Sequence, residues 1–285
     1  MASALELIRA RRLTTAARPR RAIPRQLEPA GIQLDYYAAL RPLLAAMREA
    51  VDQRLVEKLP SIVARAGFVT DARDDADETD YGEAVQEALE AAAADVAKEL
   101  PRSKMAETAQ TIARRTSTFG RVELAKQFKA GLGIDVMTLE PWLPARIAGF
   151  TAENVSLIKS IPQEFFRQVE REVINGIRAG RRHERLAESI RERFSVSESR
   201  ARLIARDQVN KFNGELNGAR QKDLGVEHFV WRTVGDNRVR EQHEPLNGKR
   251  FSWKSGADGL FPGQDIQCRC TAEPDIDEVL EKLAR

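Results

Sequence analysis

Apolar side chains three or four positions apart recur through most of the chain, and this spacing stops near residue 225. Side chains with this spacing lie on one face of an α-helix, where they can be buried together. The pattern therefore predicts that helices occupy the chain up to about that point. Its clearest stretches are Tyr37, Leu40, Leu44, Met47, Val51 and Leu55; Phe165, Phe166, Val169, Val173, Ile174 and Ile177; and Ala201, Ile204, Ala205, Val209, Phe212 and Leu216.

The pattern changes over roughly the last sixty residues. Residues 228–233 are rich in β-formers, and alternation places Phe229, Trp231 and Thr233 on one face of a strand. Asn247-Gly248 predicts a hairpin turn, because both residue types tolerate positive φ. The predicted fold class is therefore α+β: a mostly helical N-terminal region, followed by a compact C-terminal α+β domain with short antiparallel strands.

Two breaks are expected within the helical part. Pro141 and Pro144 each lack a backbone donor, so we expect a domain junction there rather than regular helix. Ser195 and Glu198 have the spacing of a capping box, which predicts that a helix begins at this point. We accordingly divide the chain into a basic N-terminal arm at residues 1–30, a helical region at residues 31–145 and a C-terminal domain at residues 146–285.

Composition excludes several classes of protein. Hydrophobic residues make up 42% of the chain and charged residues 31%, which is typical of a folded, soluble protein rather than a disordered one. The sequence has no run of the roughly 20 apolar residues that a membrane-spanning helix needs. It has two cysteines, Cys268 and Cys270, which are too few for a disulfide framework. These features predict synthesis in the cytoplasm.

Positive charge is concentrated at the N-terminus. Residues 1–26 contain seven arginines and a single acidic residue, Glu6. Arms of this kind commonly contact nucleic acid phosphates or an acidic protein surface, although a solvated terminus has the same composition. The candidate nucleic acid contacts are Arg9, Arg11, Arg12, Arg18, Arg20, Arg21 and Arg25.

The two cysteines are candidate metal ligands. Alternation along a strand would place Cys268 and Cys270 on the same side, about 7 Å apart along the backbone. Two thiolates on one side can both reach a zinc ion, with His243 as a third ligand and His228 or Asp236 as a fourth. The alternative is a pair of reduced thiols, because structural zinc sites favour a Cys-x-x-Cys spacing and free cysteine packs as a small hydrophobe.

An ordered set of residues in the C-terminal region resembles the phage Mu F-like family, which includes minor head (head-morphogenesis) proteins of the SPP1 type. The resemblance covers about residues 150–275, and it implies a low-copy virion component. The residues that carry it are Arg206, Asp207, Trp231, Asp236, Arg238, Arg240, His243, Asn247, Gly248, Cys268, Arg269 and Cys270.

The resemblance also implies partners and a location. Portal protein, capsid protein and scaffold are the expected partners, with a role in head morphogenesis and in genome packaging or ejection. The expected location is the host cytoplasm during assembly, and then the head interior or the portal vertex. Relatives often have an Arg-Thr-Glu-like triplet, where this chain has Arg206-Asp207-Gln208. If the acid pairs with a later arginine, the aspartate side chain reaches one methylene less far than a glutamate would.

A catalytic interpretation of the same residues is the alternative. Asp207, Asp236, Arg240 and His243 include the acid, base and anion-binding groups of a hydrolase, a nuclease or a toxin-like effector carried in the virion. A structural interpretation instead pairs Asp236 with Arg238 or Arg240, and His243 ties down a turn. The sequence has no glycine-rich phosphate loop, nucleophile elbow or HExxH motif, so we favour a protein that is not an enzyme.

Overall fold

The computed structural model describes residues 6, 8–10, 22–69, 78–133, 135 and 139–284. Long helices precede a small sheet, which confirms the predicted α+β class. The helices are α1 (Ala30–Arg54), α2 (Leu59–Val69), α3 (Glu78–Glu99), α4 (Arg102–Leu132), α5 (Leu143–Arg178) and α6 (His183–Asp223), with α7 (Ile276–Ala284) after the sheet. Within the described ranges, each helix is too short or too polar to cross a membrane.

The sheet has three short antiparallel strands, as predicted. They are β1 (His228–Arg232), β2 (Arg250–Ser252) and β3 (Thr271–Pro274). β1 is central, so that Phe229 lies opposite Phe251 of β2, and Trp231 lies opposite Ala272 of β3. The buried aromatic face predicted for β1 is present, since Phe229 and Trp231 are both fully buried.

The chain divides into two compact units, each built from segments that are distant in sequence. The sheet unit comprises Met1–Leu34, Gln110–Phe150 and Arg206–Arg285, and the helical unit comprises Asp35–Ala109 and Thr151–Ala205. Both units therefore take residues from both sides of residue 145.

The helical unit has its own buried core. Within it, the hydroxyl of Tyr36 on α1 donates a hydrogen bond to Oδ1 of Asn154 on α5 at 2.8 Å, and neither side chain is exposed. The rings of Phe165 and Phe194 pack with their centroids 4.5 Å apart. Burial of the Tyr36 ring raises the pKa of its hydroxyl, so this group stays protonated and remains a donor.

Helix boundaries differ from prediction at both expected breaks. α5 begins at Leu143, so Pro144 lies in the first turn, where the missing N–H would have no partner in the helix anyway. α6 continues without a break through the predicted capping box. The hydroxyls of Ser195 and Ser197 donate instead to the carbonyls of Glu192 and Arg193 in the preceding turn, which satisfies them within a continuous helix.

The sheet unit has two apolar clusters. One surrounds the sheet and contains Phe229, Trp231, Cys268 and Cys270 among its buried members. The other joins α4 to α7, with Phe128 and Ile276 buried in it, and it also contains Ile8 from near the N-terminus.

Residues 22–29 are held within the sheet unit by hydrogen bonds to α4. The carbonyl of Pro24 accepts a hydrogen bond from Nε2 of Gln127, and the N–H of Leu27 donates to a carboxylate oxygen of Glu123. Part of the predicted basic arm is therefore an element of the folded unit. Arg9 and Arg25 are exposed, whereas the other five candidate nucleic acid contacts, Arg11, Arg12, Arg18, Arg20 and Arg21, lie outside the described residues.

Buried amide side chains on α6 connect the helix to the sheet and to the N-terminal segment. Nδ2 of Asn217 donates to Oε1 of Gln26 at 3.0 Å and to the carbonyl of Ala272 in β3 at 2.9 Å. Nε2 of Gln221 donates to the same carbonyl at 2.8 Å, and Oε1 of Gln221 accepts from Nε1 of Trp253 at 3.1 Å. Because both amide side chains are almost completely buried, losing one leaves its partners without water to replace it.

Arg220 on the same helix is a buried cation. Its Nε and Nη2 donate to the two carboxylate oxygens of Glu140 at 2.7 and 3.1 Å, and Nη2 also donates to the hydroxyl of Ser117 at 2.8 Å. The arginine side chain is only 2% exposed and the glutamate 6%. This bidentate pair anchors the segment before α5 to the end of α6.

Candidate functional site

His243, Cys268 and Cys270 meet in the interior of the sheet unit. His243 caps a short 3₁₀ helix at Glu244–Leu246, and the two cysteines directly precede β3. Nδ1 of the imidazole lies 3.7 Å from Sγ of each cysteine. The three residues are 2%, 4% and 7% exposed. The sequence prediction that these three side chains face one another therefore agrees with their positions.

Neither suggested fourth ligand joins this group. His228 lies half-buried with Nδ1 3.0 Å from Oε2 of Glu278. The reason is strand alternation: Phe229 and Trp231 face the cysteines, so His228 points to the opposite face of β1. Asp236 instead contacts Arg269. The proposal of His228 or Asp236 as a fourth ligand is therefore wrong.

The two thiols differ in acidity. A hydrogen bond from Cys270 lowers the pKa of Cys268 to about 6, and backbone N–H groups of Cys270 and Gly263 act in the same direction. The hydrogen bond to Cys268, together with burial, raises the pKa of Cys270, and the indole N–H of Trp231 opposes that rise. A negative charge on Cys268 therefore opposes deprotonation of Cys270.

Asp265 is a contact of the cluster that sequence analysis missed. Its Oδ2 lies 3.1 Å from Nε2 of His243, although not in hydrogen-bond geometry, and 3.2 Å from Nη1 of Arg240. Arg240 also donates to the carbonyl of Ile266. The ring of Trp231 packs edge-on against the imidazole with centroids 5.3 Å apart. These neighbours hold His243 in one orientation.

Asp236 is held by two arginines. Its Oδ1 accepts from Nη2 of Arg269 at 2.6 Å and from the backbone N–H of Arg238 at 3.1 Å. The guanidinium of Arg238 lies 3.5 Å from Oδ2, whereas Arg240 pairs with Asp265. Of the two partners that the sequence suggested for Asp236, Arg238 contacts it and Arg240 does not, while Arg269 is a partner that was not predicted. The hydrogen bond from Arg269 lowers the pKa of Asp236 to about 2.

Asp207 does not pair with a later arginine. Its Oδ1 accepts from the backbone N–H of Gln267 at 2.8 Å, and its Oδ2 pairs with Lys211 one turn along α6 at 2.8 Å. The aspartate side chain is long enough for this contact because its partner is a backbone N–H in the segment before the cysteines. Gln267, which provides that N–H, has a φ of 59°. Arg206 is half-buried, and its Nε has no hydrogen-bond partner among the described residues.

Asn247-Gly248 forms a turn of a different type from the one predicted. Asn247 has a φ of −56° and a ψ of 126°, and Gly248 has a φ of 78°, which are the angles of a type II turn. The turn lies within the long connection from β1 to β2, so the prediction of a tight hairpin is wrong. Oδ1 of Asn247 accepts from the N–H of Thr233 at 3.1 Å, which anchors the turn to the end of β1.

Other hydrogen bonds and ion pairs near the site could hardly be predicted from the sequence. Arg232 and Glu273 form a bidentate pair across β1 and β3, with two bonds of 2.9 Å. Asn210 on α6 donates to the carbonyl of Cys268 at 3.3 Å. The sequence did contain one sign of the contacts made by α6, because polar residues three or four positions apart lie on one face of a helix. These residues are Asn210, Asn213, Asn217, Arg220 and Gln221.

The Asp236–Arg269 pair predicts a specific dependence of stability on pH. Because the pKa of Asp236 lies below its unfolded value of about 3.9, its contribution is fully present above that value and is lost as the pH falls toward 2. Asp236→Asn should lower the urea midpoint at pH 6, and the difference from wild type should shrink below about pH 4. The exposed Glu241→Gln is the control. A difference that stays constant down to pH 3 would contradict the pairing.

Comparison with known proteins identifies the region that contains this site. Residues 167–273 match the family model described as "Phage Mu protein F like protein". A Haemophilus influenzae protein named "Uncharacterized protein" is 33% identical over 159 residues, which cover 54% of this chain and 36% of that protein. "Minor head protein GP7" of Bacillus phage SPP1 is 26% identical over 137 residues, covering 43% of this chain and 44% of that protein.

These alignments span less than half the length of each relative. No solved structure matches the chain. The family match begins within α5 and ends within β3, so it includes α6, the sheet and the cysteine cluster. Over residues 167–273, the chain is therefore similar to the Phage Mu F-like family.

Proposed function

We propose that this chain is a bacteriophage minor head protein that is incorporated during head assembly. The observation that carries the proposal is the Phage Mu F-like match over residues 167–273, together with the similarity to the protein named minor head protein in phage SPP1. The match includes the segments that the buried contacts of α6 hold together, rather than one isolated motif.

The contacts of the charged residues support a structural role for this domain. Asp236 is engaged by Arg269 and Arg238, and Arg240 is engaged by Asp265 and a carbonyl. His243 is 2% exposed. A hydrolase using Asp236, Arg240 and His243 needs an imidazole that can reach a substrate, whereas the imidazole of His243 is buried.

Portal protein is the partner we propose, with capsid and scaffold proteins as neighbours during assembly. On this proposal the chain enters the procapsid in the host cytoplasm and remains in the head interior or at the portal vertex. There it contributes to head morphogenesis and to genome packaging or ejection. The support is the family resemblance alone, so the test must separate incorporation into heads from attachment to the portal.

Procapsids assembled with and without portal protein can distinguish incorporation into heads from attachment to the portal. The chain should co-sediment with procapsids made from the capsid, scaffold and portal proteins of its own phage, and it should fall to background when portal is omitted. Equal incorporation without portal would contradict the portal attachment. Absence from both kinds of particle would contradict the assignment as a head protein.

We further propose that the arginine-rich N-terminal segment contacts packaged DNA. Arg9 and Arg25 are exposed, as such a contact requires. Removing the whole segment is a poor test because Ile8, Ile23 and Gln26 pack within the sheet unit. Substitution of the arginines leaves Ile8, Ile23 and Gln26 unchanged while it removes positive charge.

The salt dependence of DNA binding tests this contact. Each phosphate contact contributes about 0.9 to the slope of log affinity against log salt, so neutral substitutions should flatten that slope measurably. The variant changes Arg9, Arg11, Arg12, Arg18, Arg20, Arg21 and Arg25 to Gln. The control changes the same number of exposed arginines elsewhere, namely Arg41, Arg65, Arg102, Arg114, Arg121, Arg182 and Arg191. An equal slope in both variants would remove DNA contact from the proposal.

A further inference from the structure

The cysteine cluster has the ligand spacing of a tetrahedral metal site. Zinc binds thiolate sulfur at about 2.3 Å and imidazole nitrogen at about 2.0–2.1 Å, which places neighbouring tetrahedral ligands roughly 3.5 Å apart. Nδ1 of His243 lies 3.7 Å from both sulfurs, and the three ligand atoms all lie within 4.8 Å of one another. One ion can therefore reach all three groups with little movement of the chain.

The surroundings of the cluster match the outer shell of such a site. When Nδ1 of an imidazole binds a metal, its Nε2 carries the proton and donates it to a carboxylate or carbonyl. Nε2 of His243 is buried without a hydrogen bond, and Oδ2 of Asp265 lies 3.1 Å away. The indole Nε1 of Trp231 is also a buried donor without a partner in ordinary hydrogen-bond geometry, and it lies beside Cys270.

A cavity supplies the remaining position. A cavity of about 310 Å³ is lined in part by His243, Cys268 and Cys270. Among the described residues, no fourth histidine, cysteine or carboxylate joins this group.

We propose that His243, Cys268 and Cys270 bind one zinc ion through Nδ1 and two thiolates, with Asp265 orienting the imidazole and water as the fourth ligand. Two sulfurs and one imidazole nitrogen favour zinc over magnesium or calcium, which take oxygen ligands. The ion joins the turn before the 3₁₀ helix to the segment before β3. This site goes beyond the proposed function and does not depend on it.

A second group of possible ligands in the sheet unit serves as a contrast. Glu227, His228 and Glu278 also lie close together. Nζ of Lys282, however, lies 2.8 Å from Glu227 and 2.6 Å from Glu278, so an ammonium group already neutralises these carboxylates. His228 therefore offers a matched control for His243.

Metal content of the purified full-length chain tests the proposal. Under reducing conditions, the chain should contain one equivalent of zinc and lose it to a strong chelator. Cobalt added to the metal-free chain should give a thiolate-to-cobalt charge-transfer band, with the intense visible absorption of tetrahedral coordination. His243→Ala and the double variant Cys268→Ser, Cys270→Ser should lose the equivalent, whereas His228→Ala should retain it. Asp265→Asn should weaken zinc binding by about 10- to 100-fold.

The wild-type measurements decide the proposal even when a ligand variant fails to fold. A folded wild-type chain that takes up neither zinc nor cobalt after reconstitution would overturn it. Equal zinc affinity in His243→Ala and His228→Ala would overturn the assignment of ligands. Zinc binding by a chain that is never incorporated into heads would support this site while contradicting the proposed function, so the two failures are distinguishable.

Discussion

Side-chain amides buried on one face of α6 hold the C-terminal part of the sheet unit in place. Asn217 and Gln221 both donate to the carbonyl of Ala272, and Asn210 donates to that of Cys268. The three strands are only three to five residues long, so their apolar face is small, and packing against a helix stabilises such a sheet. The helix supplies that element, and its amides fix the position of β3 and of the cysteines relative to it.

The same constraint explains why charged side chains pair across the loops of the sheet unit. The connections from β1 to β2 and from β2 to β3 are long and irregular, so they cannot be fixed by sheet hydrogen bonds. Asp236 with Arg269, Asp265 with Arg240, and Asp207 with the backbone of Gln267 tie these connections to one another and to α6. A zinc ion bound by His243 and the cysteines would act on the same loops from the interior.

Much of the architecture was predictable because it follows from local periodicity. The apolar spacing predicted the helices, and alternation predicted the buried face of β1. The prediction that a helix begins at Ser195 was wrong because a serine hydroxyl can donate to a carbonyl of the preceding turn as readily as it caps a helix. Ser195 and Ser197 both make such bonds within α6. Asp265 and the amides of α6 were missed because their partners are distant in sequence, as for Gln26 and Asn217. No linear pattern reveals which loop a buried amide will meet.

Native-state hydrogen exchange of an Asn217→Leu variant tests most directly whether α6 holds the sheet. Replacing this amide removes its bond to the carbonyl of Ala272 and leaves Oε1 of Gln26 unsatisfied, at a cost of about 1–3 kcal/mol. Backbone N–H groups of residues 228–232 and 271–273 should therefore exchange faster together with those of residues 26–27. The exposed amide variant Gln53→Leu should leave all of them unchanged. Faster exchange confined to the turn around residue 217, with both strands as protected as in wild type, would contradict the account.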